Sequence, residues 1–139
     1  MAEQPPIPAC VRRGLILLGM SYVPGIIDLV RNQLPPTPGM PTWFGPVVAV
    51  VTLFIGGLIA AFIFLGHNWA RWLFAILVLL AIPAMAAAAH QLASQFEQHP
   101  TRSMVMVVQT IMQVAAAIMF FLPAANTWFR EIKALRRSA

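Results

Sequence analysis

Residues 104–125, MVMVVQTIMQVAAAIMFFLPAA, run for 22 residues without a charged side chain. A helix needs about 20 such residues to cross a bilayer, and few other structures absorb a stretch like this. Two further windows are charge-free over a similar length: 46–65, PVVAVVTLFIGGLIAAFIFL, and 72–89, WLFAILVLLAIPAMAAAA. A fourth, 14–30, GLILLGMSYVPGIIDLV, is shorter and holds Pro24 and Asp28. Arg12 and Arg13 ahead of an apolar run also suit a signal peptide. No small-x-small cleavage motif follows, however, and the apolar run continues through Tyr22, Pro24 and Ile27. We read it as a first spanning helix, kinked near Pro24.

Composition agrees with this reading. Of 139 residues, 60% are hydrophobic and 9% charged, too much apolar surface for a soluble domain of this length to cover. In lipid every backbone polar group needs a partner within the protein; four α-helices meet that demand, whereas four strands would not close a barrel. The expected fold class is all-α: an integral membrane up-down four-helix bundle. It forms one membrane domain, 1–139, with helices at about 12–31, 44–65, 69–93 and 103–130 and a basic tail over 131–139.

The net charge is +5, but the basic residues lie beside apolar segments and not on a soluble face. They orient the chain in a membrane and do not bind nucleic acid. With the N-terminus inside, the inner side carries Arg12, Arg13, Arg71, Arg130, Lys133, Arg136 and Arg137, and the outer side Arg31 and Arg102. Both termini are therefore expected in the cytoplasm, with loops 31–45 and 93–103 outside. The first loop, QLPPTPGMPTWFGP, is expected to be stiff and polyproline-like, with Pro46 opening the second helix. Cys10 stands alone, which excludes a disulfide within the chain.

The stretch GHNWARW, 66–72, falls on the inner turn between the second and third helices. Gly66 is expected to end a helix in the left-handed conformation, and Asn68 to cap the next one. Trp69 and Trp72 suit the headgroup level, and Arg71 is expected to snorkel to lipid phosphate. Trp128-Phe129-Arg130 echoes Trp69-Ala70-Arg71, each motif following a Phe-Leu pair and an asparagine. Trp69, Arg71, Trp72, Trp128 and Arg130 are thus read as interface anchors. The rival reading has His67, Asn68 and Arg71 gripping an anionic ligand. The residues Gly66, Asn68, Trp69, Ala70 and Arg71, followed by Trp128, Phe129 and Arg130, resemble a pattern of small four-helix inner-membrane proteins of bacteria that are themselves uncharacterised. The resemblance implies the fold and a bacterial setting and brings no catalytic residue with it.

Polar residues inside spans mark function or packing. Asp28, with Arg31 one turn on, reads as an interfacial ion pair, against a proton- or cation-binding carboxylate. Gln109 and Gln113 share a helix face and read as inter-helix glue, against the lining of a small pore. His90, Glu97 and His99 match no metal-ligand spacing, and no metal or cofactor is expected. Gly56 and Gly57, each four residues before Ala60 or Ala61, invite close helix packing. The eight methionines are read as packing side chains. No Ser-His-Asp set, paired carboxylates, HExxH, phosphate-cradling loop or CxxC is present. The expected function is non-catalytic: contacts in the bilayer with another membrane protein or with itself, as an accessory subunit or a toxin-immunity protein. The alternatives are a homo-oligomeric transporter or channel lined by Asp28, Gln109 and Gln113, and a lipid-acting enzyme using His67 and Arg71.

Overall fold

The computed structural model describes residues 5–31, 39, 41–87, 97 and 100–138. Among them there are five helices and no strand: α1 Ala9–Val30, α2 Phe44–Phe64, α3 Asn68–Ala87, α4 Pro100–Phe120 and α5 Pro123–Ser138. Three stretches are long and apolar enough to cross a membrane: Ala9–Val30, Phe44–Phe64 and Ser103–Phe120. The apolar part of α3, Asn68–Pro83, is shorter than these. The remainder of the expected third span, 88–93, lies outside the described residues.

Proline sets most of the helix starts. Pro8 is extended, with ψ of 148°, and α1 begins on the next residue. Pro100 and Pro123 are the first residues of α4 and α5, a position where the missing N–H has no intrahelical acceptor in any case. Pro46 was expected to open α2, but the helix starts two residues earlier, at Phe44. Pro46 still falls in the first turn, where its ring is tolerated.

The expected fourth helix, 103–130, is two helices. The Phe121 N–H closes the last turn of α4 on Ile118 O at 3.0 Å, and a bend at Leu122 precedes Pro123. Pro123 cannot donate to a carbonyl four residues back, so the α4 ladder stops and α5 turns away. The basic tail continues α5 to Ser138, and Ala125, Trp128, Phe129 and Ile132 of that helix are buried.

The core joins those four residues to Val11 and Leu18 of α1, Ile59 and Ile63 of α2, Ala70 and Phe74 of α3, and Ala116 and Phe120 of α4. It is densest at the end of the molecule where α1 starts, α2 and α3 turn, and α4 meets α5. Elsewhere the helices present apolar surface outward: Phe54 is 66% and Leu79 67% exposed. Such faces suit a hydrocarbon solvent.

Small residues act on one face of α2 only. A Cβ on Gly56 would run into the ring of Tyr22 from α1, and Ala60 packs against the core. Gly57 has open space around it and Ala61 is exposed. One residue, about 100° of rotation around the helix, separates the roles, so the Gly57–Ala61 pair makes no close helix contact among the described residues. Gly56→Ala is expected to destabilise the fold by about 1–3 kcal/mol through overpacking. Gly57→Ala is expected to be neutral, or to stabilise by up to about 1 kcal/mol through helix propensity. Unfolding of both variants by SDS in mixed micelles checks this contrast.

Of the polar residues in the spans, Gln109 donates from Nε2 to the Ser21 carbonyl across α4 and α1, at 2.5 Å. Pro24 lies three residues after Ser21 and denies the adjacent Met20 carbonyl its helical donor. The amide of a neighbouring helix therefore arrives where the proline loosens the ladder, which is how membrane helices accommodate internal proline. The Ser21 hydroxyl donates to Leu18 O at 2.7 Å.

Candidate functional site at the Gly66–Arg71 turn

The turn between α2 and α3 is a Schellman closure. Gly66 sits at φ of 77°, its N–H donates to Ile63 O at 2.9 Å, and the His67 N–H donates to Phe62 O at 2.9 Å. Such a 6→1 and 5→2 pair uses up the carbonyls a helix leaves open at its C-terminus. The accompanying side-chain contact is also present, with the His67 and Phe62 rings 5.2 Å apart, edge to face. Glycine is required here twice over. Its φ is positive, and a Cβ would meet Ile132 Cγ2 of α5 at 2.9 Å. Arg136 of α5 donates from Nη2 to the Leu65 carbonyl, the cap residue of α2.

Asn68 does not cap α3. It is already the first helical residue, so His67 occupies the capping position, and Asn68 Oδ1 is buried without a hydrogen-bond partner among the described residues. An N-cap side chain has to come from the non-helical residue before the first turn. The Nδ1 of His67 is likewise buried and without a partner there.

Arg71 does not reach outward. It is 8% exposed, and Nη1 donates to Phe120 O at 3.1 Å and to Asn126 Oδ1 at 2.5 Å. The Asn126 amide is fixed in this orientation because its Nδ2 donates to Phe121 O at 3.0 Å. The guanidinium carbon lies 5.0 Å from the Phe121 ring centroid and 4.6 Å from that of Phe129, within the range of cation–π attraction. Arg71 therefore fastens α3 to the α4–α5 junction, using the two carbonyl groups that the break at Pro123 brings within reach.

The two Trp–x–Arg motifs are not equivalent. Trp69 and Trp72 are 50% and 53% exposed, while Trp128 is 4% exposed and Arg130 is exposed. In the first motif the arginine faces inward and the tryptophan outward; in the second this is reversed. Burying Phe129 and Ile132 against the turn sets the rotation of α5, and that rotation carries Trp128 inward, where its Nε1 donates to Pro5 O at 3.2 Å. Trp72 also rests on Phe121, with centroids 4.9 Å apart, edge to face.

Two concave regions flank this end. A groove of about 660 Å³ is bordered by the 66–69 turn, Trp72, Leu73 and Ile76 of α3, and Lys133 and Arg136 of α5. A smaller cavity of about 300 Å³ lies among four helices, with Tyr22, Thr52, Gly56, Phe74 and Gln113 on its walls. Gln113 therefore parts company with Gln109, which is committed to Ser21. Asp28 is half-buried towards the far end of α1 and lines neither region. The expectation about His90 and His99 lies outside the described residues, and Glu97 is exposed.

No family model, curated protein or solved structure matches this chain. Its class follows from the fold: among the described residues it is all-helical, with three helices long and apolar enough to span a membrane. Sequence reasoning missed the cage around Arg71 and the groove formed with α5. A signal for both was Pro123, which opens a new helix, and Asn126, which the echo between the two motifs had already singled out.

Proposed function

We propose that this chain is a four-span protein of a bacterial inner membrane, with α1–α4 crossing in alternation and both termini in the cytoplasm. It acts without catalysis, through contacts with another membrane protein or with a second copy of itself. The observation that carries this reading is where the span polar groups are directed. Gln109 bonds the Ser21 carbonyl and Thr110 Oγ1 bonds Met106 O at 2.9 Å, so both serve the chain's own helices. What α2 and α3 offer outward is apolar shape, the currency of recognition inside a bilayer. The cytoplasmic assignment is supported by the seven basic residues at the Gly66–Arg71 end, and the bacterial setting by the resemblance of the GxNWAR and WFR stretches.

Native mass spectrometry of the tagged chain, extracted from its own membranes in mild detergent, tests the reading. The expected result is a second, different protein at fixed stoichiometry, or a defined homo-oligomer inert in flux assays. Solute flux by the pure chain in liposomes would overturn it. One observation favours a transporter as the second reading: Gln113 and Tyr22 border the inter-helix cavity. On that reading Gln113→Leu abolishes flux.

A further inference from the structure

We propose that the groove beside the Gly66–Trp69 turn holds one anionic membrane phospholipid, its phosphate against Lys133 and Arg136 and an acyl chain along α3. The inference rests on the membrane reading above, since α3 has to lie in a bilayer.

The groove's two walls differ in chemistry. The α3 wall is formed by Trp69, Trp72, Leu73 and Ile76. These positions are i, i+3, i+4 and i+7, one continuous helical stripe. All four side chains are exposed, Leu73 at 38% and Trp72 at 53%. Over these residues the stripe runs about 10 Å along the helix, at 1.5 Å per residue, from the turn into the apolar span. The α5 wall is cationic. Lys133 and Arg136 are one turn apart and both border the groove. Arg136 is held at its lip by its bond to the Leu65 carbonyl. A guanidinium has five N–H donors, so that bond leaves donors for an anion.

Charge at one end and an apolar stripe leading away from it match a phospholipid, with its headgroup phosphate above its chains. A soluble phosphate would use the lip and leave the stripe uncovered. The two half-exposed indoles form the end of the stripe nearest the turn, and such rings settle at the headgroup level of a bilayer. Basic pockets beside membrane helices recognise lipid headgroups by this pairing of charge with apolar surface.

The test uses the full chain in mild detergent, titrated with phosphatidylglycerol or with phosphatidylcholine of the same acyl chains, and read by native mass spectrometry. The wild type is expected to retain one phosphatidylglycerol and to discriminate against phosphatidylcholine. Lys133→Gln with Arg136→Gln is expected to weaken retention about thirty-fold, from two charges each acting near a lipid surface. The control pair, Arg130→Gln with Arg137→Gln, removes the same charge from exposed positions of α5 that do not border the groove, and is expected to stay near wild type. Arg136 also bonds Leu65, so a further variant leaves every charge in place: Ile76→Trp, which fills the stripe and is expected to abolish retention. Equal loss in the control pair, equal retention of phosphatidylcholine, displacement of the lipid by inorganic phosphate alone, or full retention by Ile76→Trp would each overturn the proposal. Flotation of the wild type with phosphatidylcholine liposomes reads the membrane assignment separately; its failure would remove that assignment whatever the lipid titration gives.

Discussion

Phe120→Ala is expected to lower stability by about 3–5 kcal/mol, the range for removing a buried aromatic ring. Phe120 is fully buried. Its ring lies against Gly14, where an added Cβ would be 2.6 Å from Cε1, and 5.9 Å from the Phe74 ring, centroid to centroid. Gly14 has no side chain to move into the space, so the cavity persists, and persistent cavities give the larger losses. Ile118→Ala is the control. Ile118 is 61% exposed, so its truncation leaves little cavity within the chain, and the expected loss is within about 0.5 kcal/mol. SDS unfolding in mixed micelles, followed by tryptophan fluorescence, measures both. Equal losses for the two would mean that the α1–α4 contact is not where stability resides.

Arg71→Ala is expected to cost about 2–3 kcal/mol, chiefly because Phe120 O and Asn126 Oδ1 lose a donor in a buried setting. Truncation also removes the cation between the Phe121 and Phe129 rings. Arg71→Lys keeps the charge but not the planar fork, and a lysine ammonium does not stack on rings as a guanidinium does. It is expected to recover less than half of the loss. Because Arg71 joins α3 to the α4–α5 junction, the alanine variant should also loosen α5. Limited proteolysis beyond Leu122 reads that directly, and unchanged protection there would sink the fastening role.

Features governed by length and apolarity were legible in the sequence. The window at 46–65 appears as α2, the window at 104–125 fills most of α4 and then crosses the break into α5, and the first window is a full helix of 22 residues. Gly66 was legible because positive φ narrows the choice of residue. The direction in which side chains point was not. Arg71 beside two tryptophans suggests an interface anchor, and nothing local reveals that Phe120 and Asn126, 49 and 55 residues further on, receive its hydrogen bonds. Gly56 and Gly57 are identical neighbours, and only the position of Tyr22 separates the one that must be glycine from the one that need not be. The break between α4 and α5 was available from Pro123, but the surrounding apolar run concealed it.

The partners of Arg71 also impose an order on biosynthesis. At roughly 5–20 residues per second, about 3–10 s of translation separate Arg71 from Asn126. From the completion of α3 at Ala87 until Phe120 is made, its arginine has neither of its eventual oxygens, so the guanidinium lacks the partners that later bury it. Its burial, and with it the closing of the end where α2 and α3 turn, waits for α5, which follows the other four described helices along the chain.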